Sequence, residues 1–216
     1  MLVIAESIRE IRATLPKGVE LLCVSKTHPK EYIEEAYSCG ERHFAENKVQ
    51  EMTAKAEALP KDIKWHMIGH LQSNKVKYIA SYVYMIHSVD SLKLLEIINK
   101  EAFKHNRKIK CLLQVHVAQE ETKYGMSEEE LKEFINSDML DKLTNVEICG
   151  IMGMASFTDD TEQIRKEFQQ IKKLFEQCKS THYSDVENFR EISMGMSGDY
   201  PIAIEDVLEA TPRSAD

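Results

Sequence analysis

The chain has 216 residues, of which 43% are hydrophobic and 30% are charged, and its formal net charge is −8. This composition is typical of a globular protein with a sizeable core, and the acidic balance argues against nucleic acid or an anionic membrane as a partner. No apolar run approaches the roughly 20 residues of a membrane-spanning helix. The five cysteines are scattered without a Cys-x-x-Cys motif, which predicts reduced thiols and a cytoplasmic location.

Helices and strands alternate along the predicted chain. An amphipathic helix at 4–15 is followed by strands predicted at 21–26, 43–47, 64–68, 83–89, 109–117, 146–154 and 191–196. The helices between and after them are predicted at 29–40, 49–59, 73–81, 91–105, from 127 onward, 162–178 and 200–209. No linker or low-complexity segment divides the chain, so residues 1–216 are predicted to form a single domain.

Alternation of this kind is typical of parallel strands joined by crossover helices. Two architectures fit it, a closed (β/α)8 TIM barrel and a doubly wound open sheet. No Gly-x-Gly-x-x-Gly motif follows the first predicted strand, which argues against the dinucleotide-binding form of the open sheet. The barrel is therefore the preferred fold, with its chemistry expected at the carboxyl ends of the strands.

The strand predicted at 21–26 ends at Lys26, the first candidate functional residue. Because side chains alternate along a strand, Leu22, Val24 and Lys26 share one face, and its apolar members predict that this face is buried. A lysine amine held there loses hydration, which lowers its pKa and suits a nucleophile that forms a Schiff base. The alternative is an ordinary solvated lysine that follows a strand.

A loop rich in serine and glycine, from Ser193 to Gly198, joins the last predicted strand to the last predicted helix. Small residues allow backbone N–H groups to approach an anion, and the helix N-terminus adds a positive partial charge. The pattern favours a phosphate site. The alternative is an ordinary strand–helix turn capped by Ser197 or Asp199.

Two further polar stretches follow the second and third strands. Asn47 enters a helix directly after a strand, where ligand contact and a helix N-cap are both open interpretations. His66 and His70 have the spacing of paired metal ligands, but Gly69 interrupts the segment and no His-Glu-x-x-His motif is present. We therefore predict a polar loop here and no metal site.

Four motifs occur in the order found in one family. They are Val-Ser-Lys-Thr ending at Thr27, Ala-Glu-Asn-Lys-Val-Gln-Glu ending at Glu51, Trp-His-Met-Ile-Gly-His-Leu-Gln-Ser-Asn-Lys ending at Lys75 and Ser-Met-Gly-Met-Ser ending at Ser197. By these motifs the chain closely resembles the pyridoxal phosphate homeostasis proteins, which are single-domain relatives of the alanine racemase barrel. The third motif is the most specific, and the resemblance extends over nearly the whole chain.

The resemblance implies a barrel of PLP fold type III that carries pyridoxal 5′-phosphate (PLP) as a Schiff base on Lys26. It also implies that Asn47 and the His66–His70 region line the cofactor pocket and that the Ser193–Gly198 loop holds the phosphate. The predicted cofactor-binding residues are Lys26, Asn47, His66, Ser193, Met194, Ser197 and Gly198, and no residue is assigned a catalytic role.

The function implied by the resemblance is PLP homeostasis, since members of this family are understood to bind, buffer or deliver the cofactor without efficient turnover. The expected partners are PLP and apo forms of PLP-dependent enzymes, and the expected assembly is a monomer or weak homodimer. Two other functions stay open. One is a PLP-dependent amino-acid racemase or lyase that uses the same Lys26, and the other is a cofactor-free barrel that acts through protein contacts.

The stretch from Asp206 to Asp216 departs from the family, whose members continue with an arginine-containing eighth strand. It has no alternating apolar run, and Pro212 would remove a donor from any strand ladder. A barrel closes only when an eighth strand pairs with both the seventh and the first. We therefore expect an incomplete barrel with two unpaired edges, lower stability, self-association through the gap and a weaker hold on the phosphate.

Overall fold

The computed structural model describes residues 3–119 and 124–209. Its strands form one parallel sheet in which each strand pairs with the next in the chain. The strands are β1 (Cys23–Val24), β2 (His43–Glu46), β3 (Lys64–Met67), β4 (Met85–Val89), β5 (Ile109–Gln114), β6 (Val146–Met152) and β7 (Glu191–Ser193). The helices are α1 (Val3–Thr14), α2 (Lys30–Ser38), α3 (Val49–Ala58), α4 (Leu92–Lys104), α5 (Glu128–Ile135), α6 (Thr161–Thr181) and α7 (Tyr200–Glu209).

Most helices lie where the sequence predicts them, because their ends carry strong local signals. Ser91 caps α4 by accepting a hydrogen bond from the Leu94 amide at 3.4 Å. Ser127 and Glu130 form the predicted capping box at the start of α5. The helix predicted at 73–81 is instead a 3₁₀ helix over Ser73–Tyr78, which has the tighter i→i+3 hydrogen bonding.

The larger core lies between the sheet and its helices. Phe44 on β2, Ile86 on β4 and Phe168 on α6 are each 1% exposed or less and belong to this core. A second, smaller apolar cluster contains Met85, Leu112, Cys149 and Met152. The sheet is thus buried against helices on one side, and on its other, inner face the described residues form a small apolar cluster.

The inner face is strongly curved. His87 on β4 and Ser193 on β7 are hydrogen bonded at 2.9 Å between Nδ1 and Oγ, although β5 and β6 lie between these two strands. Three strand spacings would separate these strands by roughly 14 Å in a flat sheet. The direct contact therefore requires the sheet to curl around its inner face, as in a barrel.

In the described residues this barrel does not close. β1 and β7 are the outer strands of the sheet and are not paired with each other. α7 continues to Glu209, so the first part of the 206–216 stretch is helical, and residues 210–216 lie outside the described residues. The predicted parallel arrangement is confirmed, and the eighth strand that the prediction doubted is absent from residues 3–119 and 124–209.

The first strand is shorter than predicted. Of the residues at 21–26 only Cys23 and Val24 are in β1, and the Ser25 amide makes one more hydrogen bond to the Ala45 carbonyl, at 3.0 Å. In the part of the chain that the structure describes, β1 has a neighbour on one side only, which limits the hydrogen bonds that can extend it.

Candidate functional site

The predicted site residues gather at one end of the sheet because parallel strands bring their carboxyl ends together. Lys26 lies two residues beyond β1, Asn47 directly follows β2, and Ser193 is the last residue of β7. The turn from Ser193 to Gly198 leads into α7. We call this end of the sheet the mouth.

The prediction that Lys26 lies on a buried face is wrong. Lys26 is exposed, and Val24 on the same face of β1 is 44% exposed. The physical reason is that the smaller apolar cluster of the inner face is built from β4, β5 and β6, so within the described residues it does not bury the inner face of β1. Its role as a cofactor lysine stays a prediction.

The turn that carries Lys26 is anchored by a buried ion network between β2 and α3. Lys55 on α3 donates to the Ser25 carbonyl at 2.7 Å and to Glu46 Oε1 at 2.7 Å. Its third partner is Glu51 Oε1 at 2.8 Å, which also accepts the Thr27 amide at 2.7 Å. The residues on both sides of Lys26 are therefore tied to one buried ammonium group.

This network surrounds a strained backbone, and the pKa values of its two carboxyl groups are shifted in opposite directions. Thr27 has a φ of 64°, a left-handed conformation that is unfavourable for a β-branched residue. Burial raises the pKa of Glu46, whose Oε2 is buried without a partner among the described atoms. Burial would also raise the pKa of Glu51, but hydrogen bonds from Lys55 and the Thr27 amide lower it.

Asn47 is placed by a close contact with the next loop. Lys48, and not Asn47, is the N-cap of α3, so the helix-cap interpretation is not what the structure has. A Cβ atom on Gly69 would lie 2.3 Å from the Asn47 carbonyl oxygen, which explains why glycine stands there. No hydrogen bond engages the Asn47 side chain within the described residues, which leaves its amide available to a ligand.

His66 belongs to a chain of three histidines that crosses the inner face. Its Nε2 lies 2.9 Å from His43 Nδ1, and its Nδ1 lies 2.8 Å from His87 Nε2. The chain continues from His87 Nδ1 to Ser193 Oγ at 2.9 Å. Both ring nitrogens of His66 are thus occupied by neighbours, so a contact with cofactor would have to use its ring carbon atoms.

Burial keeps the inner histidines neutral. It is the main cause that lowers the pKa of His66 well below its ordinary value, with His87 and His43 adding to it. Burial alone lowers the pKa of His87 to about 3. The pKa of His43 is lowered by partial burial and by nearby Lys64. A neutral imidazole has one donor and one acceptor nitrogen, as the middle members of such a chain require.

The loop from Ser193 to Gly198 is stabilised by a hydrogen bond to the side chain of Asp199. The Asp199 carboxylate accepts the Met196 amide, and the Tyr200 amide donates to the Met196 carbonyl at 2.9 Å. Within the described residues no acceptor faces the amides of Ser197 and Gly198, and both residues are exposed. Two N–H groups without an acceptor, directly before a helix, are the donors that an anion site of this kind requires.

Met194 differs from the other predicted site residues. Its side chain packs against the larger core between sheet and helices. Only its main chain remains for a contact with a ligand at the mouth. The structure therefore brings Lys26, Asn47 and Ser193 to one end of the sheet, but not the Met194 side chain.

Residues 3–119 and 124–209 show neither a metal site nor a membrane-spanning helix. No group of three histidine, cysteine, aspartate or glutamate side chains is arranged to hold a metal ion there. His66 lies within β3 and His70 lies beyond its end, so the two do not share a helix face. None of the helices in these ranges has both the length and the apolar character needed to cross a membrane.

The sequence reasoning missed the histidine chain and the ion network. The missed residues are His43, Glu46, Glu51, Lys55, Lys64 and His87. The signal for the chain was the alternation of side chains on β2, β3 and β4, which gives three consecutive strands an inward histidine. The signal for the network was weaker, since a lysine on a helix is usually solvated.

Known proteins are similar to this chain in both sequence and fold. Residues 3–209 match the family model for the N-terminal domain of alanine racemase. The pyridoxal phosphate homeostasis protein of Aquifex aeolicus is 40% identical over 188 residues, which cover 87% of this chain and 80% of that protein.

Two solved structures of PipY from Synechococcus elongatus are similar over 94% of this chain. The structure without PLP has a TM-score of 0.87 at 36% identity and is covered over 94% of its own chain. The structure with PLP bound has a TM-score of 0.85 at 35% identity and is covered over 93%. The same fold thus exists with the cofactor bound and without it.

Proposed function

This chain belongs to the family of the alanine racemase N-terminal domain and, within it, to the pyridoxal phosphate homeostasis proteins, and on that premise we propose that it binds PLP through Lys26. Its role is then PLP homeostasis, carried out by a single domain that holds and releases the cofactor. The observation that carries the proposal is the placement of Lys26 at the open mouth, on a turn anchored by the buried Lys55 network.

The residues at the mouth have the chemistry that this cofactor needs. Lys26 would condense through Nζ with the aldehyde carbon of PLP, which forms a C=N bond and releases one water molecule. The Asn47 amide and the Ser193 hydroxyl supply neutral hydrogen-bonding groups at the same end of the sheet. The free amides of Ser197 and Gly198 supply donors for the phosphate.

The exposed position of Lys26 favours exchange of the cofactor over turnover. Racemisation needs acid–base groups on both faces of the substrate carbanion. The inner face presents neutral histidines that already hydrogen bond to one another. A carrier needs only a reversible bond at Lys26 and a hold on the phosphate.

The decisive experiment compares Lys26→Ala with Lys30→Ala, since both lysines are exposed and lie four residues apart. Purified protein is incubated with PLP, scanned for visible absorbance and then treated with borohydride, which reduces a C=N bond to a stable adduct. We expect the adduct in the unsubstituted protein and in Lys30→Ala, and none in Lys26→Ala. An adduct that persists in Lys26→Ala would assign the cofactor to another lysine.

The competing functions give different results in simple assays. A racemase or lyase would change the chirality or amount of single L-amino acids with repeated turnover, whereas a carrier would not. A cofactor-free barrel would show neither absorbance nor adduct. The transfer of PLP to apo enzymes, a monomeric or weakly dimeric state and a cytoplasmic location stay part of this proposal, to be tested by reactivation of an apo enzyme, light scattering and fractionation.

A further inference from the structure

The histidine chain has an exposed cation at its outer end. Lys64, at the start of β3, lies 3.2 Å from His43 through Nζ and Nε2. The Lys64 ammonium ion has donors and no acceptor, so the nitrogen it meets on His43 must be an acceptor. His43 then carries its single proton on Nδ1, the atom that faces His66.

The position of the proton on His43 determines the position of the proton on each of the next two rings. His43 donates from Nδ1 to His66 Nε2, so His66 must carry its proton on Nδ1. His66 donates to His87 Nε2 in the same way, and His87 donates from Nδ1 to Ser193 Oγ. The rule that applies at each ring is that a neutral imidazole has one donor and one acceptor nitrogen.

Ser193 therefore accepts from the chain, and its own O–H is left to donate elsewhere. Ser193 makes no other side-chain hydrogen bond within the described residues and is only partly buried. It ends β7, immediately before the loop whose Ser197 and Gly198 amides have no acceptor. We propose that Lys64, His43, His66 and His87 are positioning residues that fix Ser193 as a hydrogen-bond donor towards an oxygen atom of the cofactor bound at the mouth.

The inference about the ligand rests on the proposed function, but the direction of the chain does not. Lys64 is exposed, so its replacement leaves the buried histidines and the core in place. Lys64→Arg keeps a cation with donors only, whereas Lys64→Met removes it. Lys77→Met, at another exposed lysine, is the matched control.

The direction is tested by nitrogen-15 NMR of the histidine rings in protein without added PLP. We expect His43, His66 and His87 to carry their protons on Nδ1 in the unsubstituted protein, in Lys64→Arg and in Lys77→Met. In Lys64→Met we expect mixed or reversed tautomers. Protons on Nε2 in the unsubstituted protein, or tautomers that Lys64→Met leaves unchanged, would overturn the proposal.

The ligand step is tested by a double-mutant cycle on PLP affinity. Ser193→Ala should weaken binding roughly 10-fold, as expected for the loss of a hydrogen bond to a charged group. Lys64→Met should weaken binding in the unsubstituted background and have no further effect in Ser193→Ala. Equal effects of Lys64→Met in both backgrounds would overturn the coupling. If the unsubstituted protein binds no PLP, the proposed function fails and the donor role of Ser193 towards PLP fails with it, while the NMR result still decides the direction of the chain.

Discussion

The buried ammonium of Lys55 donates to the main-chain carbonyl of Ser25, the residue directly before Lys26, at 2.7 Å between Nζ and O. The same ammonium contacts Glu46 and Glu51, and Glu51 in turn accepts the amide of Thr27. A helix that lies behind the sheet therefore sets the backbone around the proposed cofactor lysine.

Replacing Lys55 by Met should destabilise the fold and weaken PLP binding together. The change leaves Glu46 buried without its cation, and removing one partner of a buried ion pair costs about 3–5 kcal/mol. Urea unfolding measures the first effect, and titration with PLP measures the second. Lys93→Met, at an exposed position on α4, is the matched control and should change neither.

A second substitution separates the loss of charge balance from the loss of packing. The double variant Lys55→Met with Glu46→Gln should recover part of the lost stability, because it no longer buries an unpaired carboxylate. If the double variant is as unstable as the sum of the two single changes, the ion pair is not the cause.

Ser197→Asp should lower the affinity for PLP by an order of magnitude or more, since it places a carboxylate where we propose that the phosphate binds. Ser197→Asn, of similar size and without charge, is the control. Pyridoxal lacks the phosphate, so its binding should not distinguish the two variants. Equal loss of PLP and pyridoxal in Ser197→Asp would place the phosphate elsewhere.

Gly69→Ala should reduce both stability and cofactor affinity. The new Cβ would lie 2.3 Å from the Asn47 carbonyl oxygen and 2.7 Å from its Cα, so the backbone of one loop has to move. Such overpacking costs about 1–3 kcal/mol. Gly198→Ala has nothing within 4 Å of its added Cβ and is the control for unfolding measurements. A Gly69→Ala protein with unchanged stability and PLP affinity would contradict this account of the contact.

Stability should fall as the pH is lowered from about 7.5 to 5.5. The unfolded chain binds protons on histidine near pH 6.5, whereas burial lowers the folded pKa of His87 to about 3 and that of His66 well below its ordinary value. The unfolded state therefore binds more protons in this window. Each of the two histidines adds a slope that approaches about 1.4 kcal/mol per pH unit.

The surroundings of these histidines support the sign of that slope. Tyr84 packs against His66, while Lys64 and Lys110 add positive charge that disfavours a protonated ring. Glu20 and Glu41 favour protonation only of His43. Urea unfolding at several pH values gives the slope, and His105→Asn, at an exposed position, should leave it unchanged. A flat profile would mean that the buried rings become charged in the folded protein.

The sequence predicts the helices and strands better than it predicts the burial and the contacts of their side chains. The range of α7 and the capping box of α5 follow from local patterns, and both are as predicted. The predicted burial of Lys26 was wrong, because the exposure of a strand face depends on which side chains pack against it, and the inner cluster lies on β4, β5 and β6. The ion network could not be found from local pattern either, since Glu46 and Lys55 meet only after β2 and α3 pack together.

The open seam between β1 and β7 also has a consequence for the release of cofactor. Lys26 and Ser193 lie at the two strands that, among residues 3–119 and 124–209, have a neighbour on one side only, and β1 is just two residues long. Local opening of these edges breaks few backbone hydrogen bonds and leaves the β2–β6 sheet and its helices packed. We therefore expect amide hydrogens near β1 to exchange with solvent far faster than those of β4 and β5, and to slow when PLP binds. A carrier with this structure can release PLP by local opening at β1 and β7 while the rest of the protein stays folded.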